Sequence, residues 1–179
     1  SSFFVAGDVR ANENVELLAM QTLFVREHNR VADRLAAANP SWSDEKLYQE
    51  ARRVVAAEMQ VITYNEFLPA LIGSNALRPY QGYRPQVNPG ISNEFATAAF
   101  RLGHSMLGED IKFLDNQGNE VHDPVSLRDA FFNAPLLAET GIDPILKYLA
   151  SDNAQEIDTR VIDDVRNFLF GPPRARGLD

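Results

Sequence analysis

Few side chains in this sequence offer imidazole or thiol chemistry. It holds three histidines, His28, His104 and His122, and no cysteine. His104 stands in the run Ala99-Phe100-Arg101-Leu102-Gly103-His104, which the apolar period predicts to be helical from Ser92 to about Met106. At roughly 100° per residue, Phe95, Ala99, Leu102 and Met106 fall within about 40° of one direction. His104 lies on the opposite face, flanked by Phe100 and Leu107. A helix apolar on two faces is buried on both. One face can pack on the core, while the other presents a single imidazole among apolar groups with Arg101 one turn before it. Such a set suits one axial ligand to a flat apolar cofactor: imidazole to iron, hydrophobic groups to the ring, guanidinium to its carboxylates. A hydrogen-bonded structural histidine fits the same pattern, because buried histidines are common.

Arg10 and Glu13 form a second constellation in Gly7-Asp8-Val9-Arg10-Ala11-Asn12-Glu13-Asn14. They read either as a fixed cation and a carboxylate facing one site, or as a helix-start cluster with a surface ion pair of little worth. His28 sits on an apolar helix stripe and reads as a hydrogen-bonded core histidine; His122 reads as surface. Asp115, Gln117 and Asn119 alternate like a calcium loop, but its closing glutamate is absent, so a polar hairpin turn is expected. The charged residues Arg26, Glu27, Arg30, Glu50, Arg52 and Arg53 read as a structural network or solvated faces. No phosphate-binding glycine loop, zinc-protease motif or nucleophile elbow occurs.

The elements that must position these residues are mainly helical. A first helix is expected from Val15 to Ala38, with the stripe Leu17, Met20, Phe24, His28, Val31 and Leu35 and a cap at Asn12 or Asn14. A second follows the cap Ser43 and runs over 44–68, stopped by Pro69; at 1.5 Å per residue it spans about 37 Å, long for a small domain. Gly73 to Ile91 reads as a long ordered loop. After the third helix, Ile111–Leu114 and Asn119–His122 predict a small hairpin about Asp115-Asn116-Gln117-Gly118. Short helices are expected over Ser126–Asn133, Pro144–Ala150 (capped by Asp143) and Thr159–Phe170, the last closed by Gly171-Pro172-Pro173.

Composition bounds the rest. The length suits roughly one domain. Hydrophobic residues are 45% and charged residues 23%, which excludes a disordered chain. A net charge of −8 argues against non-specific nucleic-acid binding and against docking on an anionic membrane. No apolar run is long enough for a membrane span, and the N-terminal stretch has no basic region of a signal peptide. Lack of thiols excludes disulfides, thiolate-bound zinc, iron–sulfur clusters, thiol catalysis and c-type haem attachment.

Six blocks carry a resemblance: Ala6-Gly7-Asp8-Val9-Arg10-Ala11-Asn12-Glu13; Thr22 to Arg30 (TLFVREHNR); Asn39-Pro40-Ser41-Trp42; Leu47 to Arg53 (LYQEARR); Ile62 to Pro69 (ITYNEFLP); and Ala99 to His104. Collinear along the whole chain, they resemble the animal-type haem peroxidase superfamily of myeloperoxidase and peroxidasin. The missing cysteines lean towards a bacterial relative. The resemblance implies a mainly α fold with one small β-hairpin, the central helical portion of that domain, with residues 1–179 as a partial domain.

It further implies a role for each matching position. His104 is the proximal ligand of haem b iron. Arg101 pairs with a haem propionate. Arg10 is the distal arginine, whose fixed charge stabilises the departing peroxide oxygen. Glu13 matches a glutamate that many members esterify to a haem methyl. Asn14 replaces the methionine that myeloperoxidase bonds to its haem, so that linkage is not expected. The distal histidine, the calcium-binding segment and the asparagine behind the proximal imidazole are expected in the remaining segments of the domain, so calcium belongs to the full domain and not to this chain. The implied activity is reduction of hydrogen peroxide and oxidation of a halide, thiocyanate or phenolic donor through a ferryl haem, in a secreted protein. A haem-dependent fatty-acid oxygenase on the same scaffold and a non-catalytic helical homologue or interaction module are the rival readings.

Overall fold

The computed structural model describes residues 3–168. It divides the chain into two compact units, Ser1–Thr22 with Gly90–Asp179, and Leu23–Pro89.

The first unit opens with a 3₁₀ turn, Val9–Asn12, and the start of α1 (Val15–Ala38). Asn14 caps α1 by accepting the Leu17 N–H at 2.9 Å, while Asn12 is used elsewhere. Two short segments follow Gly90: α4 (Asn93–Thr97), capped by Ser92, and a 3₁₀ segment, Ala99–Met106. β1 (Asp110–Leu114) and β2 (Glu120–Ser126) form an antiparallel hairpin in which Ile111 faces Val125 and Phe113 faces His122. α5 (Leu127–Ala130), α6 (Ala134–Thr140), α7 (Asp143–Ser151) and α8 (Asp163–Phe168) complete the unit. Its core gathers Val15, Leu18 and Ala19 of α1, Ile111 and Phe113 of β1, Leu127, Leu137, Ile145 and Val165. The hairpin turn is held by one side chain: Asp115 accepts the Gln117 and Asn119 N–H groups at 2.8 Å each, and Gly118 takes the left-handed conformation the turn requires.

The second unit holds the rest of α1 and α2 (Asp44–Ile62), which continues through a π turn, Thr63–Phe67, into α3 (Leu68–Ile72). His28 joins α1 to α2: its Nε2 lies 3.1 Å from the Tyr48 carbonyl, and the two rings are 5.0 Å apart. Val31, Ala51 and Val55 are buried, whereas Tyr80 and Tyr83 are 85% and 84% exposed in the irregular stretch after Gly73.

Several expectations need correction. Pro69 does not end the second helix, because it occupies the first turn of α3, where an N–H is dispensable. The π turn before it makes the join, and Gly73 ends the run. The third helix is two pieces, broken at Ala98 (φ −127°, ψ −68°), and neither holds a buried residue. At the 3₁₀ period of three residues per turn, Arg101 and His104 share one face, as the spacing implied, but the winding is 3₁₀ rather than α and the segment is not buried on two faces. On α1 the buried face near its start is Val15, Leu18 and Ala19, while Leu17 and Met20 of the expected stripe are exposed. α6 lies where no helix was expected, and Asp143 sits inside α7 rather than capping it. The Gly171-Pro172-Pro173 stop lies outside the described residues.

Candidate functional site

Residues 3–14 form a short clasp, and its sequence explains its shape. Asn12 is buried and bonds the Phe4 backbone in both directions, accepting its N–H at 2.9 Å and donating to its carbonyl at 3.0 Å. Asp8, extended before the 3₁₀ turn, caps that turn through the Arg10 N–H. The same carboxylate takes the guanidinium edge-on: Oδ1 accepts Nε–H at 3.0 Å and Oδ2 accepts Nη2–H at 2.5 Å. Hydrogen bonding to Arg10 pulls the Asp8 carboxyl down to about 2, and the arginine is pushed still higher in return.

Glu13 follows one turn later. Burial raises its carboxyl above the ordinary range, and the Arg10 and then Arg101 cations oppose that rise. The structure therefore brings Arg10, Glu13 and Arg101 into one electrostatic neighbourhood from two distant stretches of chain. A long-range bond fixes Glu13: its carbonyl accepts the Phe132 N–H at 2.7 Å. Phe132 donates it from a left-handed backbone (φ 53°), the one such non-glycine conformation among the described residues. That conformation is strained for a bulky side chain and persists only where surroundings enforce it.

His104 is half-buried, and burial followed by the Arg101 charge pushes its imidazole below the ordinary range. It is therefore neutral at neutral pH, with a lone pair to give. Neither ring nitrogen bonds a described residue. The other two histidines differ. His28 bonds Tyr48, and His122 Nδ1 lies 2.7 Å from the Asp123 carbonyl with its ring 4.8 Å from that of Phe113. The Arg101 side chain likewise makes no hydrogen bond or ion pair with a described residue. His28 is hydrogen-bonded as expected, although it is half-buried rather than in the core.

In the second unit, a groove of about 580 Å³ is lined by Phe24, Val54, Ala57, Val61 and Ile62 with Glu27, Arg53 and Glu58. It contains none of these site residues. The charged residues around it pair locally, Arg30 with Glu27 and Arg53 with Glu50, as a solvated network does.

Comparison with known proteins decides the family. The model of the animal haem peroxidase family matches residues 1–179. The chain belongs to that family. Peroxinectin A of Dictyostelium discoideum is 39% identical over 176 residues, covering 98% of this chain and 32% of its own length. Eosinophil peroxidase of Mus musculus is 44% identical over 185 residues, 98% of this chain and 26% of that protein. The solved structure of peroxidase A from Dictyostelium discoideum superposes with a TM-score of 0.89 at 39% identity, over 98% of this chain and 34% of that one. This animal haem peroxidase chain therefore spans about a third or less of these relatives. The mainly helical fold with its single two-stranded hairpin agrees with the family expectation. Among the described residues no helix is long and apolar enough to cross a membrane.

Reading the sequence alone missed Asp8, Asn12 and Phe132 as supports of the site. Asp8 had a usable signal, since an aspartate just before a short turn is a natural cap. Phe132 had none, because a left-handed phenylalanine is not written in local composition.

Proposed function

We propose that the protein carrying this chain is a haem peroxidase, and that residues 1–179 supply the proximal imidazole and the distal cation of a longer domain. The observation that carries this reading is His104, a half-buried imidazole that bonds no described residue, near an Arg101 side chain that pairs with none of them, in a chain of the animal haem peroxidase family. These side chains fit a haem: a neutral imidazole suits iron and a free guanidinium suits a propionate.

When bound, the haem supplies the iron that accepts oxidising equivalents from peroxide and passes them to a donor. His104 would hold that iron through its unprotonated ring nitrogen. Arg101 would balance a haem carboxylate, and burial together with its charge favours the neutral imidazole. Arg10 stays protonated at every working pH, so it stabilises negative charge on the departing oxygen and does not carry the proton. We assign the proton-moving base to a residue outside this chain, because His28 and His122 are engaged by backbone carbonyls. Glu13, raised by burial and bracketed by two arginines, is the carboxyl placed to join a haem methyl as an ester. Hydrogen peroxide with a halide, thiocyanate or phenolic donor, and a location outside the cell, belong to the same reading.

The test is the optical spectrum of the complete protein with and without His104→Ala. The expected result is loss of bound haem or collapse of its Soret band. An unchanged spectrum would remove His104 from the iron.

A further inference from the structure

We infer that Asp8 is a positioning residue for Arg10, holding one edge of its guanidinium so that the other edge is presented to the peroxide oxygen. The inference rests on the reading of Arg10 given above.

The geometry is a fork held at three points. Asp8 Oδ1 accepts both the backbone N–H and the Nε–H of Arg10, at 2.9 and 3.0 Å, and Oδ2 accepts Nη2–H at 2.5 Å. Nε–H and this Nη2–H point the same way, so the carboxylate occupies that edge of the plane. Of the five N–H donors of an arginine, the two on Nη1 and one on Nη2 are left, and one from each nitrogen forms the terminal edge. No described residue engages them.

The pair is exposed, with side chains 80% and 50% accessible. An exposed ion pair contributes little to stability. Orientation is a different matter. A free arginine in water samples many rotamers, and a donor stabilises developing charge only if it is already aimed there. Here the brace needs little further ordering, because the carboxylate is fixed as the cap of the turn that carries the arginine. Aspartate has one methylene, so the oxygens reach Nε and Nη2 across a spacing of two residues. Strong hydrogen bonding to Arg10 also keeps the carboxyl ionised down to about pH 2, so the brace persists over any working range.

The experiment compares the complete haem-loaded protein with Asp8→Asn and Arg10→Ala. Asparagine caps a turn as well as aspartate does, so Asp8→Asn keeps the cap and removes the charge and the second acceptor. The bimolecular rate with hydrogen peroxide is read by rapid mixing. In parallel, NMR on 15N-arginine-labelled protein reads solvent exchange at the Arg10 Nε–H. Asp8→Asn is expected to slow the peroxide reaction by about tenfold or more, to accelerate Nε–H exchange, and to leave the unfolding midpoint within a degree or so. If Arg10→Ala slows the reaction and Asp8→Asn does not, the positioning role is wrong and the role of Arg10 stands. A slowed Asp8→Asn whose Nε–H stays protected also overturns it, since the effect then arises elsewhere. If Arg10→Ala reacts at the wild-type rate, the reading beneath the inference fails first.

Discussion

Replacing Glu16 by glutamine isolates the cost of one carboxylate placed against a hydrocarbon core. Glu16 lies in the first turn of α1 between Val15 and the pair Leu18 and Ala19, all buried. Its carboxyl bonds no described residue, and burial pushes it from 4.5 to about 7. That rise, at about 1.4 kcal/mol for each tenfold change, is about 3 kcal/mol of penalty on the charged form. The side chain is half-buried, so water relaxes part of this, and about 2 kcal/mol is expected. The sign follows from proton linkage. Between pH 4.5 and about 7 the folded carboxyl holds a proton that the unfolded one has released, so stability falls as pH rises through that window and levels off above it. Glu16→Gln removes the titration. It should match wild type near pH 4 and exceed it by about 2 kcal/mol at pH 8, about 4–8 °C in midpoint for a body of this size. Urea unfolding of both proteins at several pH values reads the difference, in which all other titrating groups cancel. Parallel stability profiles from pH 5 to 8 would refute the reasoning.

Other expectations follow from the same structure. Glu13→Gln should release haem to acidic solvent extraction that wild-type protein resists; equal extraction from both would remove the ester assignment. Asn12→Ala strands the Phe4 N–H and carbonyl and should cost about 1–3 kcal/mol in chemical denaturation, whereas a neutral effect would show that the clasp is held elsewhere. Phe113→Ala empties a fully buried site between the hairpin and α7. It should cost about 3–5 kcal/mol, and a loss below about 1 kcal/mol would mean that this core is not closely packed.

The sequence was legible where one local rule dominated. α1 runs from Val15 to Ala38 as its period and caps dictate, and the Asp115 turn closes the hairpin as its residues demand. It was misleading where two rules competed. Ser92 starts a helix, but Ala98 breaks it, and the 3₁₀ winding that follows turns Arg101 and His104 onto one face. The chemistry and shared face of that pair were visible from residue type and spacing, while the 3₁₀ winding and the exposure were not. Pro69 marks a helix stop in isolation, yet a π turn sets it into a new first turn. The buried side of α1 is chosen by the hairpin and α7 packing on it, which no window along α1 contains. The Glu13 to Phe132 bond joins residues too far apart in sequence for any local pattern to announce.

That bond sets a timetable for assembly. The clasp around Arg10 closes over separations of two and eight residues, which demand little loop-closure entropy and form quickly. Glu13 becomes fixed only when the chain has returned through the hairpin and α5 to deliver Phe132. By loop length alone, the Arg10 fork closes at little entropic cost, whereas the Glu13 link requires the chain to return from Phe132.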